Sequence, residues 1–392
     1  MANQTATREF VFLGFSHFPK PHSLFFILFL TMYITTLLGN GLILGTAFLD
    51  SSLHTPMYYF IRHLSFLDMC YTSVTLPHVL KNLLAESKAI SFPACLVQLY
   101  FLVAFVGVEC LLLAVMAYDR YVAICRPLTY ALLMNRTLCA QMVAASWAGG
   151  LLNSVLHTAM TSLVPFCASH KLDHLFCDVP QLLKLSCADT FPNQVTLLAV
   201  TMLLGVSPFL CIVVSYVHIV SAVLRIRTSQ GRRKAFSTCA SHLTVVTLFF
   251  TSSMFNYNRP GSSYPAYVDT LASVIYNVVT PMLNPIIYCL RNKEMKEALK
   301  RVFVFRLYSL CLRLSCFKFL NIFSIIQYRG PCLLLAVLCR PARLSQPVFP
   351  YRSASPPPPP VSPPLQLVSP PNSCASPSPG AHATALTRAV RG

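Results

Sequence analysis

Few residues in this sequence are of types that do chemistry, and two of them stand side by side. In MAYDRYVAIC, Met116–Cys125, Asp119 and Arg120 fall where a long apolar run gives way to polar sequence. An acid beside a base at such a boundary can form an ion pair; when that pair opens, it exposes a guanidinium. As a plain interfacial pair it is worth only about 0–1 kcal/mol. Two more carboxyls, Asp68 and Glu109, lie inside apolar runs, where an ionised group is costly unless it is paired, hydrated or protonated. Three readings fit them: a hydrated cation held with Asn40 and Asn284, a protonated Glu109 hydrogen-bonded among helices, or an ion path. No nucleophile–base–orienter set and no phosphate loop is present, so the sequence does not read as an enzyme.

The elements that must position these groups are membrane helices. The 392 residues are 55% apolar and 11% charged, with mean hydropathy +0.59, outside the balance of a soluble domain. Seven stretches reach the roughly 20 residues that a bilayer core requires: Phe25–Leu49, Met57–Leu83, Phe92–Tyr121, Thr137–Leu163, Pro192–Arg225, Arg232–Tyr257 and Val268–Leu290. Lipid leaves backbone groups nothing to bond with, and the alternation of barrel strands is absent, so the fold class is an all-α seven-helix bundle.

The net charge of +18 does not indicate nucleic acid once its placement is considered. All 12 acids lie within residues 1–304, and nine of the 30 basic residues lie in an acid-free tail. Arg126, Arg136, Arg225, Arg232, Arg233 and Lys293 cluster after the third, fifth and seventh stretches, which puts those loops in the cytoplasm and residues 1–24 outside. The first apolar run is long enough to span and stay, so no cleavable signal peptide is expected. Asn3 opens an N-glycosylation sequon on that outer side.

Four cysteines fall in outer segments: Cys95, Cys167, Cys177 and Cys187. Two bridges are expected there, with three connectivities open. Cys70, Cys110, Cys139, Cys211 and Cys289 lack a CxxC spacing and read as small buried hydrophobes. Pro208, Pro281 and Pro285 punctuate the late helices, and in TPMLNPIIYCL Asn284 can meet backbone groups that Pro285 frees.

These motifs together make the chain similar to the rhodopsin-like G-protein-coupled receptors, specifically the olfactory receptors. LHTPMYYF (Leu53–Phe60), MAYDRYVAIC, Ser215–Tyr216, KAFSTCASHL (Lys234–Leu243) and PMLNPIIYCLRN (Pro281–Asn292) occur in order, supported by Gly39–Asn40 and Phe176–Asp178. The resemblance covers about residues 10–303. It implies that Asp119 restrains Arg120 at rest, and that Arg120, Tyr121, Tyr216, Asn284, Pro285 and Tyr288 form the switch and cleft for a G-protein helix. It pairs Cys95 with Cys177 and Cys167 with Cys187. For Asp68 and Glu109 it favours a bound monovalent cation such as sodium, the sole cofactor expected.

The resemblance also implies an outer-half pocket for a small volatile odorant among the third, fifth, sixth and seventh helices. Its candidates are Leu102, Val103, Val106, Gly107, Val200, Leu204, Ser253 and Tyr257. The implied partners are that odorant, a stimulatory olfactory-type G protein that raises cyclic AMP, and membrane lipid, with no nucleic acid. The implied location is the plasma membrane of olfactory cilia. Phe250–Thr251 departs from the family's usual Tyr-Gly, and Arg62–His63 stands where smaller neutral residues are usual. An ion-coupled transporter, or a receptor-like product that fails to traffic, are the alternatives. Residues 291–304 read as an amphipathic helix along the membrane. Residues 305–392, with Cys311 and Cys316 as acylation candidates and a proline-rich end, read as an atypical, disordered cytoplasmic tail.

Overall fold

The computed structural model describes residues 9–14, 22–86, 88–166, 170–257, 266–290 and 292–304. All belong to the first of two compact units, Met1–Phe323; the second, Ser324–Gly392, lies outside them. The expectations for Asn3, Cys167, Cys311, Cys316 and the tail therefore also lie outside the described residues.

Among the described residues, seven long helices form one membrane bundle. They are α1 (His22–Leu49), α2 (Pro56–Leu84), α3 (Phe92–Cys125), α4 (Arg136–Ser162), α5 (Phe191–Leu224), α6 (Ser229–Tyr257) and α7, which begins as Ala266–Val274 and ends as Thr280–Leu290. A further helix, α8, covers residues 293–304. The starts follow local chemistry. Asn135 caps α4 by accepting from the Leu138 N–H at 2.8 Å, and prolines open α2, α3 and α5, where a missing N–H costs nothing. Windows in α1, α3, α5 and α7 are apolar enough to cross a bilayer by composition alone. Polar residues such as Arg62, Asp68 and His157 dilute α2 and α4. The α3 window is 72% buried and the α5 window 17%, so α3 is the central post and α5 faces lipid.

Close approach between helices depends on small residues. A Cβ at Gly150 of α4 would sit 2.6 Å from the Ala104 carbonyl oxygen of α3, and one at Gly39 of α1 would sit 2.8 Å from the Pro285 ring of α7. Two π turns interrupt the rods, at Met202–Val206 in α5 and Ile275–Val279 in α7. Each lies just before a proline, Pro208 and Pro281. The ring removes one donor and crowds the carbonyl four residues back, and a widened turn accommodates both. The Ile275 carbonyl accepts both the backbone N–H of Thr280 and, at 3.0 Å, its Oγ1, which pins the widened turn.

Three features were not expected from the sequence. A small sheet, order β2-β1-β3, caps the outer end: β1 (Glu9–Phe12) runs antiparallel to β2 (Ala89–Ser91) and parallel to β3 (Lys171–Leu172). Phe10 and Phe12 point inward, Phe10 against Phe166 at 5.4 Å and Phe12 against His78 at 5.3 Å. Arg62 does not simply reach for water, since its guanidinium lies 4.9 Å over the Phe48 ring and 5.4 Å over Tyr59. Finally, α8 is tied to the α1–α2 turn: Arg301 donates to Asp50 at 2.8 Å and to Ser52 at 2.9 Å. That contact holds the Asp50 carboxyl down to about 2.

Candidate functional site

The outer half of the bundle holds a small, partly open cavity with ≈ 60 Å³ of water-accessible space. On α3, Val103, Val106, Gly107 and Cys110 follow the three-and-four spacing of one helical face. Leu197, Val200, Thr201 and Leu204 face them from α5, and Ser253, Met254 and Tyr257 from α6. Seven of the eight residues expected from sequence thus surround one space. Leu102 does not: it is fully buried, one step around α3 from Val103, and packs in the core. The sequence reading also missed α4, whose Asn153 and His157 line the cavity. Their four-residue spacing in an apolar helix was the available signal.

A loop closes the cavity from above. The Cys95–Cys177 disulfide ties that loop to the top of α3, and Gln98 Oε1 accepts from the Cys177 N–H at 3.0 Å. Cys187 is also disulfide-bonded, and Cys167, its expected partner, lies outside the described residues. Next to Cys177, the carboxylate of Asp178 is fully buried and accepts four hydrogen bonds. Oδ1 takes the Val179 N–H at 2.8 Å and the Tyr257 hydroxyl at 3.2 Å; Oδ2 takes Asn256 Nδ2 at 2.9 Å and the Tyr276 hydroxyl at 3.3 Å. One carboxylate therefore joins the loop to α6 and α7. The FCD motif marked the residue in the sequence, while its partners come from helices about 80 to 100 positions away and gave no signal.

His174 extends this network, its Nε2 3.0 Å from Ser273 Oγ, which donates to Asn256 Oδ1 at 3.3 Å. Burial pushes the His174 ring below the ordinary histidine range, with Asp178 and Asp173 opposing and Lys184 reinforcing that shift. The unfolded loop therefore takes up a proton before the folded one. The stability that His174 contributes is complete above about pH 6.5 and is lost as pH falls below that value. Melting of the purified receptor is expected to move down between pH 7 and pH 5, and by less in His174→Gln; equal shifts in both would refute the assignment.

At mid-depth Asp68 and Glu109 are both fully buried. Asn284 Nδ2 donates to Asp68 Oδ2 at 2.9 Å, and Asn40 Nδ2 donates to the Pro281 carbonyl at 3.1 Å. Asp68 Oδ1, both Glu109 oxygens, and the side-chain oxygens of Asn40 and Asn284 have no hydrogen-bond partner among the described residues. A buried set of acceptors lacking donors is what an oxygen-liganded cation with its water would satisfy, so the residues fit such an ion.

At the inner end the structure departs from expectation. No ion pair joins Asp119 and Arg120 among the described residues. The buried Asp119 instead accepts from the Tyr130 hydroxyl at 2.8 Å, from the short helix Tyr130–Leu133. Arg120 is half-buried, and Tyr121 lies 5.8 Å from the His218 ring. The Tyr216 hydroxyl lies 2.9 Å from His242 Nδ1, with the rings stacked, and the buried Tyr288 hydroxyl is without a partner. Tyr130 and His242 were not singled out from sequence. His242 belongs to the KAFSTCASHL motif and Tyr130 to none of the motifs, and the partners of both are set by tertiary contact.

Comparison with known proteins agrees with this architecture. A family model described as olfactory receptor matches residues 29–306. Human olfactory receptor 1F1 is 50% identical over 300 residues, which is 76% of this chain and 96% of that protein. Rat olfactory receptor 1f45 is 49% identical over 304 residues, covering 78% and 97%, and gorilla olfactory receptor 1G1 is 49% identical over 300 residues, covering 76% and 96%. With a match over most of the bundle at this identity, the transporter reading gives way: the chain belongs to the olfactory receptor family and is a receptor, not an enzyme.

Proposed function

We propose that this receptor takes a small volatile odorant into the outer cavity and promotes nucleotide exchange on a stimulatory, olfactory-type G protein, raising cyclic AMP. The plasma membrane of olfactory cilia, with residues 1–24 outside, is the proposed location. The observation that carries this reading is one bundle with a lidded, largely apolar cavity above and Arg120 at its inner mouth. Ligand shifts the balance of two arrangements only by binding one more tightly, so the α6 end that touches both lid and cavity is the natural lever. Inward of the cavity, Tyr216 and His242 lie on the two helices whose separation would open the cleft.

The test is an odorant panel read as cyclic AMP in cells whose surface display has been confirmed by staining. Arg120→Ala is expected to remove the response by tenfold or more at unchanged surface level, and loss of the stimulatory α subunit to remove it entirely. A response that persists in either case sinks the proposal. Staining the full chain beside one ended after Phe303 tests whether residues 305–392 affect display.

A hydrated sodium ion at Asp68 and Glu109 is part of the same reading. It would supply positive charge to two buried acids, and Asn40 and Asn284 would contribute oxygens. Sodium is expected to raise the melting temperature of the purified receptor relative to an equal concentration of a large organic cation, and Asp68→Asn to erase the difference. Equal melting in both salts for the unaltered chain would rule the ion out.

A further inference from the structure

The cavity's hydrogen-bonding groups are lopsided. Ser253 Oγ donates to the Phe249 carbonyl at 2.7 Å, Thr201 Oγ1 to the Leu197 carbonyl at 2.7 Å, and the Tyr257 hydroxyl to Asp178 at 3.2 Å. All three hydroxyl protons are thus used within the protein, and each oxygen offers a guest only lone pairs. On the α4 wall, Asn153 Oδ1 is a buried acceptor with no partner among the described residues. One turn further on, His157 is 3% exposed, its Nε2 is without a partner, and as a neutral ring it offers one donor and one acceptor. Gly107 makes room for this pair: a Cβ there would meet the Gly150 Cα at 3.1 Å and Asn153 Nδ2 at 3.5 Å.

We propose that the cavity selects odorants bearing a hydroxyl group, held by Asn153 and His157 of α4 with the hydrocarbon body against Val106, Val200 and Leu204. This rests on the reading of the cavity as the odorant site and adds the ligand class. A hydroxyl donates to one member of the α4 pair while accepting from the other, so both buried groups are satisfied by a single small group. An ether, ester, ketone or aldehyde only accepts. Bound in the same pose it leaves Asn153 Oδ1 unmatched and adds another acceptor to a wall already rich in them. Leaving a buried polar atom unpaired is the penalty that lets a site reject a guest lacking the matching proton. Thiols donate weakly and fall between the two classes.

The experiment uses the purified full chain and reads thermal stabilisation and half-maximal concentration, which need no G protein. The probes are hexanol, octanol, decanol and phenol, each beside the aldehyde and methyl ether of matching size. The alcohol or phenol of the best-fitting size is expected to stabilise at roughly one-tenth or less of the concentration its ether needs. In Asn153→Leu and His157→Phe that advantage should shrink to about threefold or less, while the ether binds as well as before or better. His157→Gln, which keeps a donor and an acceptor, should retain it. Equal stabilisation by alcohol and ether in the unaltered chain overturns the proposal, as does failure of every hydroxyl probe to stabilise. If alcohols stabilise but no cyclic AMP follows, the ligand class stands and the signalling reading fails.

Discussion

Asp178→Ala is expected to lose surface display and odorant response together. Where protein can be recovered, its melting temperature should fall further than for any single change in the cavity wall. The carboxylate is fully buried and accepts from Val179, Tyr257, Asn256 and Tyr276. Removing it strands four donors, and each buried donor left unmatched costs roughly 1–3 kcal/mol, with water entering the vacated space offsetting part. Asp178→Asn should do little better, because its amide has one acceptor oxygen where four donors converge and turns two N–H groups toward them. Tyr257→Phe alone should be mild, since it removes one donor and leaves the rest. A double-mutant cycle separates the network from general damage: the cost of Tyr257→Phe should nearly vanish once Asp178 is alanine. Additive costs would show that the two residues do not act through each other.

Most of the architecture was legible because membrane helices announce themselves. Seven apolar runs of about the right length gave the bundle, and the bounds moved by only a few residues, as at the α4 start capped by Asn135 and the α2 start opened by Pro56. Most of the α3 face of the cavity was legible for a related reason: Val103, Val106 and Gly107 repeat with the helical period, whereas Leu102 turns into the core and Cys110, read as a buried hydrophobe, takes the next place on the face. What stayed hidden depended on partners distant in sequence. The four residues Glu9–Phe12 alternate over too short a span to distinguish strand from coil, and they pair only because residues 89–91 and 171–172 are brought to them. The π turns follow from prolines that were noted, but a proline can kink, bulge or end a helix, and packing chooses. The hydrogen-bond partner of Asp119 was hidden for the same reason. Adjacent residues on a helix project about 100° apart, and Tyr130 from the next loop reaches the carboxylate that Arg120 does not.

The second large effect is expected from the disulfide. Cys95→Ser should abolish the odorant response and leave little folded receptor, and Cys177→Ser should match it. In the chain-entropy view, a bridge closing a loop of 82 residues is worth at most about 4.5 kcal/mol. The segment it closes includes α3 and α4, which stay helical in lipid even when the bundle comes apart, so the true loop is shorter and the entropic share smaller. The larger consequence is positional. Cys177 stands next to Asp178, and apart from the bridge its backbone is held to the top of α3 by one hydrogen bond from its N–H to Gln98. Without the bridge, the carboxylate that binds α6 and α7 loses its covalent tie to α3, so the four bonds at Asp178 share more of the ordering cost of the loop with the β3 pairing and the His174–Ser273 contact. The cost of Asp178→Ala should therefore be smaller in a Cys95→Ser background than in the intact chain. Measured by melting in detergent, a full Asp178→Ala penalty without the disulfide would show that the lid is held by something other than this bridge.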